Sequence, residues 1–204
     1  MSLIAGVDGR RGGWAVALVT LGAGAPTVEW HVVAGQDADG FRAVLDLAAG
    51  ADAVGVDCPV GLPAHDWRAC DLLAKRRLGA ASARVVRAPP RRVLAASGYA
   101  RAREVARDLL GGRGVSAQAY GLRGAVLAVD EVLRAGVTAR VVEVHPELSF
   151  AALAGEVLAS KKTPAGRAAR LAALAAWTAD AGSSAPDGDD GLDALAAAWS
   201  VWRH

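Results

Sequence analysis

The chain has 204 residues, enough for one domain of ordinary size, and 53% of them are apolar, with 48 alanines making up much of that fraction. This composition supplies one packed core, so it excludes a disordered, collagen-like, coiled-coil or disulfide-framework protein. The net charge is +2, but residues 68–113 hold twelve basic and three acidic side chains. That uneven distribution favours a polyanionic partner, and the alternative is a solvated helical surface.

The first third of the chain predicts an antiparallel meander. Three runs of strand-forming residues, separated by turn signals, occupy residues 3–8, 14–21 and 27–33. A helix is expected next, from Asp37 or Asp39 to about Ala49, because Phe41 and Val44 recur at helical spacing. Residues 51–57 then alternate as a fourth strand, which must stop at Pro59.

The remainder predicts a helical insertion followed by a strand and two helices. Residues from about 65 to 136 are mostly helical in pattern and hold the basic cluster. A fifth strand is expected at 138–144, a helix capped by Thr163 to about Ala179, and a last helix from Asp189 or Asp190. We therefore predict a single α/β domain over residues 1–204. Its mixed five-stranded sheet has three antiparallel strands, then two parallel ones, flanked by helices, an order shared by the RNase H-like fold.

Several classes of protein are not supported. Cys58 and Cys70 form no CxxC and are expected to be buried in a reduced, cytoplasmic protein. No apolar run reaches the ~18 residues of a membrane span, and Asp8 comes too early for a signal peptide. The chain shows no P-loop, no GxGxxG and no nucleophile elbow.

Carboxylates are predicted to converge at one edge of the sheet. Asp8 and Asp57 end the first and fourth strands, and Glu143 falls near the end of the fifth. Asp190 and Asp193 share one face of the last helix. Converging carboxylates raise one another's pKa or require cations, and two Mg²⁺ or Mn²⁺ ions about 4 Å apart could clamp a phosphoryl displacement.

Simpler roles exist for each of these acids. Asp8 suits a turn, Asp57 an Asx turn before proline, and Asp189 or Asp190 a helix cap, while Glu143 could pair with an arginine of the insertion. The metal interpretation therefore requires the acids to lie close together without each having an arginine of its own.

Other polar residues are candidates for substrate binding. Arg84, Arg87, Arg91 and Arg92 could follow backbone phosphates, and Lys161 and Lys162 could meet phosphates or simply be solvated. His145 could act as a general base, orient a ligand, or make a structural hydrogen bond.

The motifs that carry a resemblance to a known family include Gly6-Val7-Asp8-Gly9, Asp57-Cys58-Pro59-Val60-Gly61-Leu62-Pro63, Arg68-Ala69-Cys70-Asp71, Glu143-Val144-His145-Pro146-Glu147 and Asp190-Gly191-Leu192-Asp193-Ala194-Leu195-Ala196. The sequence resembles a prokaryotic family of unknown function described as predicted RNase H-like nucleases, and its ending is similar to that of RuvC-type Holliday-junction resolvases. The resemblance implies metal binding by Asp8, Asp57, Asp190 and Asp193, hydrolysis to a 5′-phosphate and a 3′-hydroxyl, and a homodimer. Glu143 has no clear superfamily counterpart.

Three functions are open at this point. The leading hypothesis is a Mg²⁺- or Mn²⁺-dependent nuclease acting on DNA or RNA. A second is a nucleotide-binding or sugar-phosphate-transferring protein of actin-like ancestry, although such enzymes need two domains around a cleft. A third is a non-catalytic module that binds nucleic acid or another partner.

Overall fold

The computed structural model describes residues 1–182, 186 and 188–203. They form one five-stranded sheet with strands β1 (Ser2–Arg10), β2 (Gly13–Leu21), β3 (Thr27–Ala34), β4 (Ala53–Asp57) and β5 (Val141–Glu143). The strand order is β3-β2-β1-β4-β5, in which the first three are antiparallel and β1, β4 and β5 are parallel. The predicted RNase H-like sheet is therefore confirmed.

Nine α-helices lie within the described ranges. They are α1 (Ala38–Leu47), α2 (Ala69–Leu78), α3 (Arg91–Leu94), α4 (Tyr99–Leu109), α5 (Ala117–Gly121), α6 (Arg123–Arg134), α7 (Pro146–Ala154), α8 (Pro164–Ala175) and α9 (Asp190–Trp202). Short 3₁₀ segments follow α2 at Gly79–Arg84 and α8 at Ala179–Gly182. Helices α2 to α6 make up the insertion between β4 and β5. No helix in the described part of the chain is both long and apolar enough to cross a bilayer.

Each face of the sheet carries a core. Trp14, Phe41 and Val129 belong to the core beneath α1 and α6, while Ile4 and Leu195 belong to the core beneath α9. Side chains alternate between the two faces along a strand, so successive residues of β1 serve opposite cores. The alternating small and branched apolar residues of β1 and β4 suit a sheet that is covered on both sides.

Several predicted boundaries are wrong. β1 continues two residues past Asp8, because Gly9 and Arg10 still pair with β2, and β5 is shorter than predicted. Helix α7 was not predicted, because Pro146 was expected only to end the strand. Pro146 also occupies the first turn of α7, where its missing N–H costs no hydrogen bond within the helix. Helix α8 ends at Ala175, and Thr178 beyond it donates its hydroxyl to the carbonyl of Pro26 at 2.6 Å.

The two cysteines have different environments. Cys58 is buried as expected, and neither thiol forms a disulfide. The expectation that Cys70 is buried is wrong. Asp71 and Ala74 define the buried face of α2 at helical spacing, and Cys70 lies one position off that face, so its side chain is exposed.

Candidate active site

Two aspartates face each other across the parallel pair at the centre of the sheet. Asp8 of β1 lies opposite Asp57 of β4, and Gly6 lies opposite Gly55 two residues earlier. Because side chains alternate along a strand, all four residues belong to the face covered by α9. The register therefore places two carboxylates next to two positions that have no side chain.

Those glycines allow α9 to pack directly on the sheet. A Cβ on Gly6 would lie 1.9 Å from the carbonyl oxygen of Ala194, and one on Gly55 would lie 2.6 Å from that of Ala197. Real Cβ atoms do not approach so closely, so only glycine fits at these positions. The contact holds the first turn of α9, and Asp193 with it, against the ends of β1 and β4.

Asp8, Asp57 and Asp193 form an acidic cluster in which Asp8 and Asp193 are buried and Asp57 is half-buried. Asp8 is 7% exposed and Asp193 3%. Burial, followed by repulsion from Asp57 and Asp193, raises the pKa of Asp8 well above its usual value. Burial and repulsion from Asp193 raise the pKa of Asp57 to about 7. Within the described residues, no cationic side chain lies within 4.0 Å of Asp8 or Asp57, so the three acids are only partly compensated.

Lys161 supplies the cation nearest to this cluster. Its ammonium donates to the carboxylate of Asp193, and its charge also lowers the pKa of Asp8 and Asp57. Burial disfavours the charged ammonium, but the attraction and hydrogen bond of Asp193 outweigh that effect and raise the pKa of Lys161. Burial raises the pKa of Asp193 even though Lys161 opposes the rise.

Asp190 lies one turn earlier on the same helix face and is more open. Its side chain is 34% exposed, and the Nε atom of Arg10 is 3.9 Å from its nearer oxygen. Asp189 occupies the cap position without a side-chain capping bond to any described residue, and it pairs instead with Arg167 at 3.0 Å. Asp189 therefore forms an ion pair with Arg167 instead of the side-chain cap that was considered for it.

Glu143 forms an ion pair with an arginine of the insertion, which is the simpler role that the sequence allowed for it. Arg68 donates to both of its oxygens, at 2.7 and 2.5 Å, and the backbone N–H of Val60 donates at 2.8 Å. Arg68 is 7% exposed and also pairs with Asp71. Glu143 thus binds protein groups with both oxygens and braces the loop that follows β4.

Potential ligand atoms also meet beside Arg68. Among the described residues, Cys70, Asp71 and Glu143 form a group whose donor atoms all lie within 4.8 Å of one another. The guanidinium of Arg68 contacts both carboxylates of this group and offsets one of their two negative charges. The carboxylate oxygens of Asp8, Asp57 and Asp193 do not all come within 4.8 Å of one another.

A cavity of about 650 Å³ opens over the acidic cluster. It brings together nine of the predicted site residues: Asp8, Asp57, Arg84, Glu143, His145, Lys161, Lys162, Asp190 and Asp193. The remaining candidates, Arg87, Arg91 and Arg92, do not line it. The cavity therefore has an acidic floor, and basic side chains stand on other parts of its wall.

His145 stands at the start of α7 on the wall of this cavity. Burial lowers its pKa, although Glu147 and Glu143 act in the opposite direction. Its Nδ1 atom is buried and has no hydrogen-bond partner among the described residues. A neutral imidazole with a free nitrogen suits either a proton acceptor or an orienting group.

The four arginines proposed for phosphate binding differ in their surroundings. Arg84 lines the cavity but already donates to Glu147 at 2.7 Å. Arg91 pairs with Asp130, the guanidinium carbon of Arg87 lies 3.9 Å from the centre of the Trp67 ring, and Arg92 is exposed. Arg92 is therefore the member of this set with a solvent-exposed side chain.

The family follows from comparison with known proteins. A family model described as "Protein of unknown function (DUF429)" matches residues 6–204. The chain belongs to this family. No curated protein matches the chain. The DUF429 chain is also similar to the solved structure of RuvC from Thermus thermophilus, at 18% identity over 96% of this chain and 90% of that one, with a TM-score of 0.48. A second T. thermophilus RuvC structure, in complex with Holliday junction substrate, shows 17% identity over 97% and 91%, with a TM-score of 0.46.

Sequence reasoning did not single out the residues that brace the DUF429 site. Arg68 belongs to the basic cluster and to the Arg68-Ala69-Cys70-Asp71 piece of the family resemblance, but the sequence predicted no bracing role for it. Glu147 accepts from Arg170, which is 1% exposed, at 2.7 Å. A buried arginine is rare because its charge needs several partners, and these partners come from distant parts of the chain. The positions of Arg68 and Glu147 in family motifs were the available signals.

The donor set fits a hard divalent cation. Asp8, Asp57 and Asp193 offer carboxylate oxygens, the ligands that Mg²⁺ and Mn²⁺ prefer. Asp8 is more than nine-tenths buried, lines the cavity and has no ion-pair partner among the described residues. Burial, and then repulsion from its neighbours, raises the pKa of Asp8, and a bound cation would stabilise its ionised form against both effects.

Proposed function

We propose that this protein is a metal-dependent nuclease that hydrolyses phosphodiester bonds in DNA or RNA, with Asp8, Asp57, Asp190 and Asp193 holding Mg²⁺ or Mn²⁺. The observation that carries the proposal is the uneven pairing of the carboxylates around the cavity. Glu143 accepts from a guanidinium, but the register-matched pair Asp8 and Asp57 has no such partner in the described part of the chain. Buried like charges in this arrangement favour a cation over a structural role.

The floor of the cavity is suited to hydrolysis at phosphorus. A bound divalent ion supplies a water of lowered pKa and offsets charge on the phosphate. The backbones of β1, β4 and α9 fix the aspartates, since the contacts of Gly6 and Gly55 leave α9 no freedom to shift. Rigid elements of this kind hold ligands in one geometry without local reordering.

The wall of the cavity offers groups for the substrate. Lys162 is exposed at the cavity and can contact a phosphate, while Arg84 adds positive potential even though Glu147 holds it. The lowered pKa of His145 keeps the imidazole neutral near pH 7, so its Nδ1 atom can accept or relay a proton. These roles remain proposals for the same reaction.

The test is cleavage by chelator-treated protein to which Mn²⁺ or Mg²⁺ is returned. Single-stranded, duplex and branched DNA and RNA should be assayed, with product ends analysed for 5′-phosphate. We expect Asp57→Asn to retain binding and to lose cleavage by at least about 100-fold. Asp46→Asn is the matched control. Asp46 is exposed on α1, away from the cavity, so this variant should cleave nucleic acid as the wild type does.

Other results would favour the other functions. If the wild type and Asp57→Asn bind nucleic acid equally and neither cleaves any substrate with Mn²⁺ or Mg²⁺, the protein is a binding module and not a nuclease. A rise in melting temperature with nucleotides and none with nucleic acid would instead indicate phosphoryl transfer.

A further inference from the structure

The charges around the acidic cluster do not call for two divalent ions. Asp8, Asp57 and Asp193 carry three negative charges when ionised, and the ammonium of Lys161 compensates one of them. Two charges remain, which is the charge of one divalent cation. A second such ion at the same three carboxylates would leave an excess of two positive charges in a largely buried site while Lys161 is present, against an excess of one without it.

The neighbouring acids do not change this balance. Asp190 lies near Arg10, and Glu143 and Asp71 share Arg68. Arg68 offsets only one of those two negative charges. The remaining charge is matched on the far side of the cavity, where Arg84 and Arg170 both pair with the single carboxylate of Glu147. The groups around the cluster are therefore compensated among themselves.

The position of Lys161 is set by its backbone. Thr163 accepts the N–H of Gly166 as a helix cap, and its own N–H and hydroxyl both donate to the carbonyl of Ser160. A Cβ on Gly166 would lie 2.1 Å from that same carbonyl oxygen. The turn that carries Lys161 thus packs tightly on the start of α8, and from this fixed backbone the ammonium reaches the carboxylate of Asp193.

We propose that the ammonium of Lys161 takes the place of one divalent cation, so that this site binds a single Mg²⁺ or Mn²⁺ per chain. The inference rests on the proposed function, and it differs from the two-ion expectation drawn from the sequence. Lys161 remains on Asp193 in the metal-bound protein, and Asp8 and Asp57 are the principal carboxylates for the ion.

The test counts bound metal without any substrate. Chelator-treated protein is titrated with Mn²⁺ alone, with free Mn²⁺ measured by electron paramagnetic resonance and heat by calorimetry. We expect one Mn²⁺ per chain for the wild type and for Lys161→Arg, which keeps the charge. Lys161→Met should bind two, the first about tenfold more tightly, because a nearby positive charge has been removed. The control Arg76→Met removes a positive charge that is exposed on α2 and does not line the cavity, and it should bind one.

Each outcome decides the matter. Two Mn²⁺ per wild-type chain, or one for Lys161→Met with unchanged affinity, would overturn the role of Lys161 and leave the nuclease proposal intact. Absence of Mn²⁺ binding by both wild type and Lys161→Met would overturn the proposed function as well. Circular dichroism confirms folding. Lys161→Gln, which retains a donor for Asp193, is also expected to bind two and provides the same count if the methionine variant does not fold.

Discussion

Asp8 and Asp57 lie directly opposite each other on parallel strands, and Gly6 and Gly55 lie opposite each other two residues earlier. The same backbone register thus determines both where the acids meet and where α9 approaches. Since the strand period is two residues, neither feature could shift without the other. The acidic cluster is therefore a consequence of sheet register and helix contact together, and the following predictions probe each part.

Replacing Asp57 by asparagine should stabilise the protein when metal is absent. The folded-state pKa of Asp57 is raised to about 7 from an ordinary value of about 3.9, so the unfolded chain releases this proton first as pH rises. Stability is lost between about pH 4 and pH 7, and the full penalty, on the order of 2–4 kcal/mol, applies at pH 8. The amide of the asparagine variant carries no such charge, so the variant avoids this penalty.

This effect is measured by thermal unfolding in a chelator. At pH 8, Asp57→Asn should melt roughly 5–10 °C above the wild type, and the difference should shrink near pH 4.5. Added Mn²⁺ should raise the melting temperature of the wild type and leave that of Asp57→Asn unchanged. Asp46→Asn, whose acidic cluster is intact, should match the wild type in both measurements. A lower melting temperature for Asp57→Asn at pH 8 would show that its charge is not repelled in the folded state.

A methyl group at Gly6 should disrupt the contact between β1 and α9. The added Cβ would lie 1.9 Å from a backbone oxygen of α9, so the helix must move. We expect Gly6→Ala to lower the free energy of unfolding by about 2–4 kcal/mol and to weaken Mn²⁺ binding, because Asp193 moves with the helix. Chemical denaturation and metal titration measure the two effects. Gly24→Ala should change neither, because a methyl group there would meet no atom of the described residues within 4 Å.

Removing Arg68 should leave two carboxylates without their shared partner. Arg68→Met deprives Asp71 and Glu143 of a buried guanidinium, at an expected cost of about 3–5 kcal/mol near neutral pH. Urea denaturation near neutral pH measures this, with Arg76→Met as the control because Arg76 is an exposed residue of α2, the helix that Arg68 precedes. Equal stability of the Arg68 and Arg76 variants would contradict the bracing role.

Arg92 should contribute to nucleic-acid binding through charge alone. It is exposed on α3, and no acid among the described residues holds it, so a phosphate can engage it. We expect Arg92→Ala to weaken binding of every sequence to a similar degree and to reduce the slope of log K against log salt by about one. Fluorescence anisotropy between 50 and 200 mM salt gives that slope. Arg140→Ala is the control. Arg140 is exposed and precedes β5, at the end of that strand opposite to Glu143, so its removal should leave the slope unchanged.

The sequence by itself determined the sheet, the insertion and the shared helix face of Asp190 and Asp193. These features follow from periods of 2 and 3.6 residues and from proline and glycine, which act on neighbouring residues. The convergence of Asp8 with Asp57 also followed, once the strands were taken as parallel. Boundaries were less secure, as helix α7 and the exposed Cys70 show, because packing decides which residues end an element.

Only the tertiary structure decided which charges are compensated. Glu143 and Arg68 are 75 residues apart, and Lys161 and Asp193 are 32 apart. No local pattern relates such residues, since a side-chain ion pair depends on how distant elements pack rather than on spacing along the chain. Charge pairing is nevertheless what separates Asp8 and Asp57 from the bracing acids around them, because the charge of a bracing acid is offset by a guanidinium and the charge of Asp8 or Asp57 is not.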